Sequence, residues 1–129
     1  MIKVGDWVKV EQTVGRVVHV YSPTEEWVAV KLDDVGIIDV RINTVTKLPI
    51  KFKGFNIVMD YAGNWDCYRN TKSIGKIHFV CIKKGAEYFT GFKVPHESFV
   101  IKYCNTVNDA KDWLELQYAT MLAKARGLV

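Results

Sequence analysis

Three cysteines and three histidines are the residues with the widest chemical range in this 129-residue chain. His78 and Cys81 come nearest to a metal-ligand spacing. The run Ile77-His78-Phe79-Val80-Cys81-Ile82, nearly all apolar, reads as a central strand covered on both faces, however, and residues three apart on a strand point to opposite faces. Cys67 and Cys104 have no neighbour at ligand spacing. A pairing of Cys67 or Cys81 with His96 as nucleophile and base is open, but no motif marks it. Their apolar neighbours make the cysteines small buried thiols. An odd number of them in strand-like contexts argues for reduced thiols in a cytoplasmic protein. Asp60 and Asp66 flank one hairpin and could pair, although aspartate is ordinary beside turns. No glycine loop that cradles phosphate is present. The expectation is a chain that is not an enzyme, with no metal site and no cofactor.

Binding is the chemistry that remains, and the charges give it a direction. The net charge is +4, and residues 51–129 carry twelve Lys and Arg against seven Asp and Glu, while residues 1–50 are slightly acidic. All of the positive excess therefore lies in the second half, which points an anionic partner there. Arg69, Lys72 and Lys76 surround one predicted hairpin and Lys83 and Lys84 a second. Interleaved with Trp65, Tyr68 and Tyr88, they have the aromatic-plus-cation composition of nucleic-acid surfaces. Only two arginines fall in this half, few for reading bases in a duplex. The competing expectation is a protein-binding adaptor or small inhibitor, of the kind phages and mobile elements encode. Its anchors would be aromatic: Trp7, Tyr21, Trp27, Trp65 or Tyr88.

These side chains need elements to position them, and the pattern of the chain supplies them. Val4-Gly5-Asp6-Trp7-Val8-Lys9-Val10 and Val14-Gly15-Arg16-Val17-Val18-His19-Val20 are glycine-led alternations of half-buried strands. A proline-bearing turn over Tyr21–Glu26 precedes a strand at Trp27–Leu32. A tight hairpin at Asp33–Gly36 leads into Ile37–Ile42, and a helical turn precedes a last short strand at Thr46–Leu48. Together these predict a small five-stranded barrel over residues 1–48. Leu48-Pro49 marks the boundary.

Residues 49–129 are predicted as an antiparallel sheet covered by one helix, so the whole is mainly β with one C-terminal helix, an α+β chain. Its strands are expected at Phe52–Tyr61, Trp65–Asn70, Ile77–Ile82, Tyr88–Val94 and Phe99–Cys104. The helix follows from Thr106-Val107-Asn108-Asp109, a capping box with Asp in place of Glu, and from apolar spacing of three and four residues thereafter. Gly127 is placed to be its left-handed cap. No apolar run approaches the ~18 residues a membrane span needs, so no membrane partner and no signal peptide are expected.

The phrases Val4-Gly5-Asp6-Trp7-Val8, Gly15-Arg16-Val17-Val18 and Val30-Lys31-Leu32-Asp33-Asp34 resemble the Src-homology-3-type small barrels of the Tudor and KOW kind. The resemblance covers about the first 48 residues and implies fold alone, since such barrels bind RNA, DNA, methylated side chains or other proteins. Tudor-type barrels that read methylated residues hold the ammonium against aromatic ring faces. The resemblance would give Trp7, Tyr21 and Trp27 that role, with Asp33 or Asp39 as the acidic partner. A small barrel also needs large residues to close its core, and the tryptophans suit that equally.

Overall fold

Turn glycines and short polar loops cut the chain into the strands that its alternation predicts. A computed structural model describes residues 1–21, 26–33 and 35–129. The elements in order are β1 (Trp7–Val10), β2 (Thr13–Val20), β3 (Trp27–Leu32), β4 (Gly36–Arg41), a 3-10 turn (Ile42–Thr44), β5 (Val45–Lys47), β6 (Asn64–Thr71), β7 (Gly75–Lys84), β8 (Glu87–Lys93), β9 (Val100–Cys104) and α1 (Val107–Ala125). The chain is thus mostly β with one C-terminal helix. The turns predicted at Tyr21–Glu26 and Asp33–Gly36 include residues 22–25 and 34, which lie outside the described residues. Two units divide the chain, Met1–Phe52 with Tyr118–Val129, and Lys53–Gln117.

In the first unit the five strands pair antiparallel in the order β4-β3-β2-β1-β5. Val8, Val17, Val28, Val30 and Leu32 form the buried cluster, with Val10, Ile38, Val40 and Val45 among the side chains packed around it. The predicted closed barrel is corrected to an open sheet: β4 and β5 are its edges, and no ladder joins them among the described residues. β5 is only three residues long and all of it is taken up by β1. Trp7 is buried although its neighbour Val8 fills the core on the opposite side. Its ring stacks on Phe52 at 5.6 Å and lies beneath the Arg16 guanidinium at 5.0 Å. The helix end also belongs here. Gly127, at φ 69°, donates to the Lys124 carbonyl and Leu128 to that of Ala123, the paired bonds of a left-handed helix cap.

The second unit is built on a four-stranded antiparallel sheet in the order β6-β7-β8-β9. Alternation on β7 sends Ile77, Phe79 and Cys81 into the core, all fully buried. Phe79 touches Phe55 at 4.8 Å and Phe92 at 6.2 Å, and Phe92 touches Trp113 of α1 at 5.8 Å. Burial reaches all round the middle of the helix, since Trp113, Leu114, Glu115 and Leu116 are consecutive and buried.

The strand predicted at Phe52–Tyr61 is not there; residues 51–60 have no ladder. The alternation is real, but side chains satisfy the backbone in place of a neighbouring strand. Arg69 donates to the carbonyls of Lys53 and Gly54 at 2.8 and 3.1 Å, and the Phe55 N–H donates to the buried Glu115 carboxylate at 3.2 Å. The predicted cap at the helix start does form: the Asp109 N–H donates to the Thr106 hydroxyl at 3.0 Å. Thr106→Ala should therefore lower stability by about 1 kcal/mol, with Thr106→Ser nearly neutral, as read from urea midpoints.

Candidate functional site

Residues that alternate with the buried Ile77, Phe79 and Cys81 lie on the other side of the four-stranded sheet. On β7 these are Lys76, His78, Val80 and Ile82, and register places Asn70, Tyr68, Asp66 and Asn64 of β6 opposite them. On β8 the corresponding residues are Phe89, Gly91 and Lys93, with Tyr103 and Ile101 of β9 alongside. This face is aromatic and open. Tyr68 is 54% exposed, and Phe99, Ile101 and Tyr103 are also exposed.

The rings on this face touch one another. Tyr68 stacks on His78 with centroids 4.4 Å apart, and His78 meets Phe99 edge-on at 5.7 Å. The Lys76 ammonium lies 4.2 Å from the centre of the Tyr68 ring. Lys93 is exposed and directly opposite His78, and Lys72 is exposed in the β6–β7 turn beside Lys76. One end of the face is therefore a ring row with three lysines about it. The turn that delivers Phe99 runs through Pro95, with the Glu97 N–H on the Val94 carbonyl at 3.1 Å and His96 held at φ 67°.

The five cations singled out in the sequence are not one cluster. Lys72 and Lys76 belong to this end. Lys83 and Lys84 sit at the other end of β7, roughly 23 Å away at ~3.3 Å per residue, and Lys84 there is opposite Glu87. Arg69 is half-buried, its guanidinium spent on two carbonyls and lying over the Phe55 ring at 4.4 Å. Lys93, His78 and Phe99 are the members that sequence reasoning missed.

The aromatic anchors are also scattered. Trp65 and Tyr88 pack inward on the cluster of Cys81, Cys104 and Ala110. In the first unit Trp7 is buried, whereas Tyr21 and Trp27 come together with Asp39 around an open cavity of about 380 Å³. The Tyr21 hydroxyl donates to Asp39 at 2.7 Å, and that bond, first among the causes, raises the phenol's pKa. The Arg41 guanidinium already lies 4.8 Å from the centre of the Trp27 ring. Asp33 is half-buried and is not among the residues lining that cavity.

Cys81 and Cys104 are buried as expected, whereas Cys67 is only half-buried. None of the three forms a disulfide. Cys81 faces the core and His78 the open face, so the two cannot share a ligand. Burial pushes the Cys81 thiol above its ordinary pKa, and does the same for Cys67 against the opposing pull of Arg69. Thiols so placed are poor nucleophiles, and His96 lies out in its exposed turn. Among the described residues no three His, Cys, Asp or Glu side chains gather as for a metal, and no helix is long and apolar enough to cross a membrane. No family model, curated protein or solved structure matches the chain.

Proposed function

We propose that this is a non-catalytic binding protein whose four-stranded sheet takes single-stranded nucleic acid on its open face. The observation that carries the reading is the ring row Tyr68–His78–Phe99, exposed at Tyr68 and Phe99 and half-buried at His78, with Lys72, Lys76 and Lys93 about it. Exposed rings stack on unpaired bases, and ammonium groups beside them take the phosphates. A duplex keeps its base faces stacked internally, so a ring row on a flat sheet favours single strands. The protein-partner alternative rests on the Tyr21–Trp27–Asp39 cavity, which among the described residues has Arg41 as the one cation beside its rings. The sheet face has the better complement of charge.

Anisotropy titrations of a labelled oligonucleotide, single-stranded and as its duplex, test this across a range of salt. Single strands should bind more tightly than the duplex. Each phosphate contact on a single strand contributes about 0.7 to the slope of log affinity against log salt. Reversing Lys72 and Lys76 to Glu should flatten the slope by roughly 1.4, with little change in melting temperature because exposed charges stabilise weakly. Tyr68→Ala should weaken binding by about 1–3 kcal/mol, the loss of one stacked base. Absence of binding at low salt, or an unchanged slope in the double reversal, overturns the reading.

A further inference from the structure

The other end of the same face holds a cavity of a different character. It measures about 430 Å³ and is lined by Val58, Asp60, Asn64, Trp65, Asp66, Val80 and Ile82. Val58, Trp65, Val80 and Ile82 give it apolar walls, and two carboxylates, which only accept, stand there beside the amide of Asn64. Those carboxylates are not equivalent. One oxygen of Asp60 already accepts the N–H groups of Ala62 and Asn64, at 2.9 and 2.8 Å, and so holds the turn before β6. Asp66 is exposed on β6, directly opposite Val80, and no hydrogen bond to it is found among the described residues.

Asp66 and Val80 stand one alternation step along the strands from Tyr68 and His78. Two residues of strand span about 7 Å, the scale of one step along an extended single strand. A strand whose phosphates follow the lysine end, with one base on the Tyr68 row, brings its next base over the cavity. An unpaired base offers its Watson–Crick edge there. Uracil presents one donor between two carbonyl oxygens, which an adjacent carboxylate repels. Guanine presents two neighbouring donors, N1–H and the exocyclic amine, which match the two oxygens of one carboxylate.

We propose that this cavity is a base-selecting subsite that prefers guanine, with Asp66 accepting from its N1–H and amine and with Val58, Val80 and Ile82 against the ring. The inference rests on the sheet-face reading above and adds a selectivity that the ring row alone does not have, because every base has a face on which to stack.

The test compares a uridine oligoribonucleotide with the same oligomer carrying one central guanosine, and with one carrying inosine, which lacks the exocyclic amine. With the full-length protein, guanosine should raise affinity about tenfold over uridine, the scale of one bidentate base contact, and inosine should fall between them. Asp66→Asn replaces one acceptor oxygen by a donor; it should remove the guanosine preference and leave affinity for the all-uridine oligomer the same or higher. Asp66 is exposed, so a melting curve matching that of the parent protein is expected for this variant. Equal binding of the guanosine and uridine oligomers, or a preference that survives Asp66→Asn, overturns the subsite and leaves the ring row standing. Failure of every oligomer to bind at low salt overturns both.

Discussion

Phe79→Ala should lower the stability of the protein by about 3–5 kcal/mol, the range for removing a buried phenylalanine from a packed core. Phe79 is fully buried on the central part of β7, and its ring contacts lead in two directions. One goes to Phe55 at 4.8 Å, on the irregular segment that has no ladder of its own. The other goes through Phe92 to Trp113 of α1. Alanine would therefore open a cavity and also remove one of the contacts that tie segment 53–60 to the sheet. That segment has side-chain hydrogen bonds but no strand partner to fall back on, which places the loss at the upper part of the range. Urea titration followed by tryptophan fluorescence measures it. Ile82→Ala, on the open face of the same strand, should cost well under half as much. If the two substitutions cost the same, the inward and outward faces of β7 have been exchanged.

Much of this fold is legible in the sequence because alternation reports which side of a strand is covered. Val28, Val30 and Leu32 against Lys31 announce both strand and face, whereas the nearly unbroken apolar run Ile77–Ile82 reads as covered on both faces although its His78 side is open. The helix is as plain, for Thr106 and Gly127 mark its two ends with groups that bond as expected. Alternation does not report what satisfies the backbone. Phe55, Ile57 and Met59 alternate like a strand, yet Arg69 and Glu115 take the hydrogen bonds that a ladder would have made. Barrel closure escapes for a related reason: whether two edges meet depends on strand lengths and twist, which local pattern does not contain.

The site was less legible because it is a property of register. Charge density and proximity in sequence single out Lys83 and Lys84 as readily as Lys72 and Lys76, though a long strand separates the two pairs. Arg69 looks like one more surface cation, yet its planar fork of donors suits two backbone carbonyls, a use open to arginine and not to lysine. The stacking of Tyr68 on His78 was within reach. Counting outward from the turn between Thr71 and Gly75 pairs these two residues directly. Phe99 and Lys93 were not, since they arrive from two further strands whose register is fixed by later turns.

The last of these strands depends on a single missing methyl group. Gly91 lies on the open face of β8, paired with Val80 on one side and Ile101 on the other. A Cβ built there would stand 2.5 Å from the Val100 carbonyl oxygen and 3.5 Å from the Ile101 Cα. Both are backbone atoms of β9, so no side-chain rotation relieves the overlap; the strand itself must move. Gly91→Ala should then cost about 3 kcal/mol, the upper part of the range for overpacking. The damage should appear in hydrogen exchange, with the amides of Val100–Cys104 losing protection first because β9 is an edge strand whose only ladder partner among the described residues is β8. Gly85→Ala is the comparison. Its φ is +65° but nothing stands within 4 Å of a Cβ there, so only the left-handed strain of about 1–2 kcal/mol applies, with no local loss of protection in β9. Displacing β9 also shifts Phe99 away from His78, so Gly91→Ala should weaken single-strand binding even at temperatures where the protein remains folded. Unchanged exchange at Val100–Cys104 would show that β9 does not approach β8 as closely as this contact requires.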